Sequence, residues 1–166
     1  TDLCNINIFI SLYLCMTNEM RKLKIFLLFL VACGIPKAAS GTDDPVPEIY
    51  IYKVIGSDSL KAYVFSPPEN FESERYPAMA IFHGGGWAMG EASWGFGRAR
   101  RFAEKGMITI CVQYRISDQE TITPVDAMED ARDFFIWARE NADALGIVPD
   151  SLTAYGWSAG AHLIAS

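Results

Sequence analysis

Apolar positions recur with two different periods along residues 48–166. From Glu48 to Ile55 they alternate, with Ile49, Ile51, Lys53 and Ile55 set against Tyr50, Tyr52 and Val54, which predicts a strand. Gly56-Ser57-Asp58-Ser59 predicts a turn, and residues 60–65 a second strand paired with the first as a hairpin. Residues 66–76, with Pro67-Pro68, read as a loop. Residues 77–82 and 107–114 are short apolar runs, the mark of strands covered on both faces. Cys111 in the second run reads as a small core residue. Between them, residues 91–105 predict a helix with Gly106 at its C-terminal end.

The period then changes. Thr123-Pro124-Val125-Asp126 is a helix start: Thr123 can cap, Pro124 suits the first helical position, and Asp126 sits well in the first turn. Ala127, Ala131, Phe134, Phe135 and Ala138 follow at helical spacing as a core-facing stripe, and the helix is expected to end near Leu145-Gly146. A Pro149-Asp150 turn leads to a short strand over residues 152–155, and Ala161-His162-Leu163-Ile164-Ala165 begins a further helix. Buried strands alternating with helices predict an α/β fold with a mostly parallel sheet.

The first forty residues break this pattern. Met20-Arg21-Lys22-Leu23-Lys24 followed by the apolar run 25–32 resembles a signal peptide, and the run is shorter than the roughly 20 residues a membrane span needs. Two processing sites compete: Leu30-Val31-Ala32-Cys33-Gly34 resembles a bacterial lipobox in which Cys33 is lipidated, and Ala38-Ala39-Ser40 an ordinary cleavage site before Gly41. Residues 1–40 are therefore expected to be a leader, with Met20 as the start and residues 1–19 upstream of it, and residues 41–166 a partial α/β domain. That leader implies a secreted, periplasmic or envelope-lipoprotein location, with membrane attachment through Cys33.

Composition narrows the function. With 51% hydrophobic and 13% aromatic residues among 166, the chain is not of the disordered class. Its net charge of −6 provides no basic surface for phosphates, which argues against a nucleic-acid partner. The four cysteines, Cys4, Cys15, Cys33 and Cys111, have no metal-ligand spacing, and neither a metal nor a cofactor is expected.

Two glycine motifs carry the candidate chemistry. Gly156-Trp157-Ser158-Ala159-Gly160 lies between a predicted strand and a predicted helix. A serine on so sharp a turn projects its hydroxyl outward, and the flanking Gly156 and Gly160 must be small because they crowd each other. His83-Gly84-Gly85-Gly86-Trp87 directly follows the buried strand 77–82. Its uncovered N–H groups can converge on one developing negative charge. A phosphate-binding loop would require Lys and Ser/Thr next, and Trp87-Ala88-Met89 supplies neither.

These motifs, with Tyr114-Arg115, Asp130 and the 145–150 lead-in, resemble the α/β-hydrolases, specifically hormone-sensitive-lipase-like and acetyl-esterase-like members. Ala161 departs mildly from the family, which often has Gly there. The resemblance covers residues 48–166 and implies a lipase-like serine esterase acting on short acyl or sugar-acetyl esters, small-molecule or carbohydrate. It implies Ser158 as nucleophile, the N–H groups of Gly85, Gly86 and Ala159 as oxyanion hole, and His83 as a residue that shapes the loop. A serine peptidase of prolyl-oligopeptidase type is an alternative, since Gly-Trp-Ser is common there, although those enzymes usually place Pro after two glycines; a non-catalytic binding protein is another. In this fold the triad acid and histidine follow the nucleophile. Ser166 comes soon after Ser158, and His162, four residues past the serine, is expected to lie beneath the turn as a structural residue. The chain is thus expected to be an N-terminal portion that is inactive alone.

Overall fold

The computed structural model describes residues 45–118 and 120–166. The leader, its cleavage sites and Cys33 lie outside the described residues. Asp44–Ser166 form one unit. Its strands are β1 (Glu48–Ile55), β2 (Asp58–Phe65), β3 (Tyr76–Phe82), β4 (Ile108–Val112) and β5 (Ile147–Gly156); its helices are α1 (Phe96–Ala103), α2 (Pro124–Glu140) and α3 (Ala159–Ala165).

The five strands lie in the order β1-β2-β4-β3-β5. β1 and β2 form the expected hairpin, with Ile55 opposite Asp58 and Gly56 at φ +59° in the turn. β2 is antiparallel to β4, whereas β3 is parallel to both β4 and β5. The register of β1 shifts between Ile51 and Lys53. That bulge interrupts the simple alternation read from the sequence. Tyr52 packs edge-on against Phe134 and Lys53 reaches Asp130, both on α2, while Ile49, Ile51 and Val54 stay exposed.

The apolar runs are buried because helices cover both sheet faces. Ala78, Ala80 and Phe82 of β3 and Ile108, Ile110 and Val112 of β4 share a core with Ala127, Ala131, Phe134 and Ala138 of α2 and Leu163 of α3. The alternate residues Ile81 and Cys111 pack with Ala99 and Ala103 of α1. The Cys111 thiol is pushed up to about 12 by burial, so it acts as a small core residue.

Several boundaries differ from the sequence reading. The 91–105 segment is a 3-10 turn (Ala92–Gly95) followed by α1, and at their junction Gly95 packs so close to β4 that a Cβ there would meet Cys111 Sγ at 2.9 Å. α2 stops at Glu140 rather than at Gly146: Asn141 Nδ2 donates to Trp137 O at 2.8 Å and draws the chain into turns that close at Gly146, φ +66°. The expected Pro149-Asp150 turn lies inside β5, which is ten residues long, where the register with β3 slips between Tyr76 and Ala78. The predicted start of α2 matches in detail, as the Asp126 carboxylate accepts from the Thr123 N–H at 2.7 Å and hydroxyl at 2.8 Å.

Candidate active site

The parallel strands β3 and β5 end side by side, with Phe82 opposite Gly156. Both glycine motifs therefore emerge at one edge of the sheet, where α/β folds place their sites. Trp157 and Ser158 make the whole connection from β5 to α3. Ser158 has φ 52° and ψ −123°, a region that costs a non-glycine residue about 1–3 kcal/mol unless its surroundings impose it.

The surroundings do impose it. A Cβ on Gly156 would lie 2.5 Å from the carbonyl carbon and oxygen of Gly160. A Cβ on Gly160 would lie 2.2 Å from Phe82 O and 2.5 Å from His83 O. The two glycines thus let α3 turn back over β5 and press against the end of β3, which leaves the Ser158 side chain exposed. The crowding partner of Gly160 is the neighbouring strand rather than Gly156 alone.

The loop after β3 is equally constrained. Gly85, Gly86 and Trp87 all have positive φ, at +135°, +62° and +62°. Ala88 and Met89 both donate their N–H to Gly85 O, closing a tight turn, and a Cβ on Gly85 would stand 1.9 Å from Met89 O. Gly84 lies against the elbow itself: its missing Cβ would meet Trp157 Cδ1 at 2.8 Å and Trp157 O at 2.9 Å. On the elbow side, Gly160 N donates to Trp157 O, and Ala161 N and His162 N to Ser158 O. Ala159, at the first position of α3, is among the N–H groups that have no intrahelical acceptor.

His83 is buried and its ring is stacked on Tyr114 at 4.3 Å. Its Nδ1 is 2.7 Å from Gly84 O, so that nitrogen carries the proton. Burial holds its pKa below the usual histidine value, and the neutral ring fits this arrangement. His162 is exposed on α3 with its ring edge-on to Trp87 at 5.3 Å, beside the glycine loop rather than beneath the turn. No hydrogen bond joins the Ser158 hydroxyl to the ring of either histidine among the described residues, although the His162 N–H donates to Ser158 O in the first turn of α3. The Trp87 indole Nε1 is buried without a hydrogen-bond partner.

Two groups behind the site entered the sequence reading only as part of the family resemblance, with no role attached. The Tyr114 hydroxyl donates to His83 O at 2.8 Å. The fully buried Asp130 carboxylate accepts from Lys53 Nζ at 2.7 Å and from Arg115 N, Nε and Nη2 at 3.0, 2.8 and 2.9 Å. The role of Asp130 could have been read from its position, because an acid on the apolar stripe of a helix must find a cation. Among the described residues, no cluster of His, Cys, Asp or Glu could hold a metal, and no helix is long and apolar enough to cross a membrane.

A serine at a strained strand-to-helix turn, abutting a glycine loop on the adjacent parallel strand, defines an α/β-hydrolase. The BD-FAE family profile matches residues 64–166, and the chain belongs to that family of α/β-hydrolases. It is 39% identical over 89 residues to a probable isoprenylcysteine alpha-carbonyl methylesterase of Oryza sativa subsp. japonica, covering 54% of this chain and 21% of the relative. It is 30% identical over 139 residues to an arylesterase of Saccharolobus solfataricus, covering 82% and 42%. Among solved structures it is similar to a thermophilic esterase of Thermogutta terrifontis, with a TM-score of 0.68, 32% identity, and 74% and 44% of the two chains covered. That esterase has been solved bound to propionate and phosphorylated by paraoxon. The chain spans less than half the length of these relatives.

Proposed function

We propose that this chain carries the nucleophile and oxyanion half of a serine carboxylesterase that cleaves short acyl or sugar-acetyl esters. The observation that carries the reading is the backbone of Ser158, forced to φ 52° at the carboxyl edge of the sheet beside the Gly84–Gly86 loop. Esterase relatives across this family, one of them phosphorylated by an organophosphate ester, support it.

In the proposed reaction Ser158 Oγ attacks the ester carbonyl carbon while its proton passes to a base. The carbonyl oxygen becomes an oxyanion held by the N–H groups of Gly85, Gly86 and Ala159. The carbon–oxygen bond to the alcohol breaks, the proton leaves with the alcohol, and an acyl-Ser158 remains for water to cleave. The base and its orienting acid are assigned to sequence following the nucleophile, as the fold's chain order requires. Arrangement of the donors before reaction is the main contribution of these residues, and one such donor is worth about 10²–10³ in rate.

The test is covalent labelling of the full-length protein, which supplies the base and acid, with a fluorophosphonate followed by peptide mass spectrometry. The expected adduct is on Ser158 and absent from Ser158→Ala; an adduct on another residue, or none, would remove the assignment. We also propose that the 20–40 leader directs the protein to a bacterial envelope, where it is lipidated or removed. A diacylglycerol thioether on Cys33, or an amino terminus at Gly41, is the expected mass, and an intact Met20 terminus in the cytosol would refute the proposal.

A further inference from the structure

We infer that Tyr114 is a positioning residue that holds the glycine loop and the nucleophile elbow at a fixed spacing. The inference rests on the esterase reading of Ser158 and the loop, and names a residue that reading does not use.

Tyr114 lies just past the end of β4, on the strand next to β3, and its side chain is buried. Its ring lies nearly parallel to His83, at 16° and 4.3 Å. Its hydroxyl donates to His83 O at 2.8 Å and lies 3.2 Å from His83 Nδ1. Burial pushes the phenol up to about 12, so it remains a donor throughout the neutral range.

The accepting oxygen is what gives this contact its consequence. His83 O is one of the two carbonyl oxygens against which Gly160 of α3 is pressed. The peptide that ends in Gly84 N–H therefore has the Tyr114 hydroxyl and the elbow helix as its neighbours. Gly84 and Gly85 follow directly from that peptide, so its tilt sets where their N–H groups point. The far end of the loop closes on the same ring, since a Cβ on Gly90 would meet His83 Nδ1 at 2.6 Å. Tyr114 thus joins two donor sets that arise from different strands: Gly85 and Gly86 after β3, and Ala159 after β5. Its own backbone is fixed from below, because Tyr52 donates to Gln113 O at 2.5 Å and Asp130 holds the Arg115 N–H.

Tyr114→Phe keeps the stacked ring and removes only the hydroxyl, leaving the protein folded for measurement. Inactivation of the full-length protein, base and acid included, by a fluorophosphonate is resolved into its maximal rate and its half-saturating concentration. The variant should lower the maximal rate about tenfold or more, because small displacements of preorganised groups are costly to the reacting state. Half-saturation should stay within about twofold, since ground-state binding does not use the oxyanion donors. A change in folding alone would not separate those two quantities. Amide hydrogen exchange at Gly84, Gly85 and Gly86 should accelerate in the variant. An unchanged maximal rate with Ser158 labelled overturns the inference, as does unchanged exchange in the loop. If the unmutated protein is not labelled at Ser158, the esterase reading fails separately, and the exchange data still decide whether Tyr114 holds the loop.

Discussion

Gly160 on the elbow helix and Phe82 at the end of β3 meet so closely that a Cβ on the glycine would stand 2.2 Å from the Phe82 carbonyl oxygen. No side-chain rotation relieves such a contact, because both partners are backbone. Gly160→Ala is expected to lose about 3 kcal/mol, the upper end of overpacking costs, read from urea unfolding. Gly97→Ala in α1 is the contrast. Nothing lies within 4 Å of its missing Cβ, so the same change should stabilise by about 0.5–1 kcal/mol. Equal effects at the two positions would contradict the packing described.

Ser158 stores backbone strain that glycine would release. Ser158→Gly should unfold at a higher temperature than Ser158→Ala, by the equivalent of about 1 kcal/mol, although both lose the hydroxyl. A calorimetric ranking with alanine the more stable would show that the turn is not strained.

Asp130 has both carboxylate oxygens engaged by cations that are themselves four-fifths buried, Lys53 and Arg115. Asp130→Asn replaces one acceptor oxygen with an NH₂ facing donors, while Lys53 keeps Asp133 at 2.6 Å and Arg115 keeps Asp126 at 2.7 Å. The expected loss is about 2–3 kcal/mol in denaturant unfolding, the cost of charged hydrogen bonds lost in a buried site. Lys53→Met should cost far less, because Arg115 still meets the carboxylate at three atoms.

His83 should make stability depend on pH near neutrality. Its folded pKa lies below the model-peptide value of 6.5, chiefly through burial. The unfolded chain therefore binds the proton first as the pH falls. The stabilisation is fully present above 6.5 and declines below it, until the folded histidine also protonates. The neighbouring Glu91 charge opposes the effect without reversing it. Wild-type unfolding free energy should fall between pH 7 and pH 5 more steeply than that of His83→Asn, and parallel curves would count against this account.

Much of the architecture was legible because local patterns record burial. The runs at 77–82 and 107–114 had to be strands covered on both faces, since no polar alternation would support an exposed face. Thr123, Pro124 and Asp126 specify a helix start by contacts within four residues, and the structure forms those contacts. The glycine–serine motif marked the elbow because few residue types tolerate that turn. Boundaries were less legible where competing local signals existed: Gly146 does end a segment, but the segment is a set of turns after Asn141 rather than the helix.

What only the tertiary structure decided is which distant residues face one another. The order β1-β2-β4-β3-β5 brings Lys53 to Asp130 across 77 positions and Tyr114 to His83 across 31. The bulge at Ile51/Lys53 turns two successive side chains of β1 to α2, which no period-2 reading anticipates. A residue's own neighbours in sequence determine whether it is buried and in what backbone state. Its partner depends on strand order and register, which are settled collectively by packing the whole sheet between its helices.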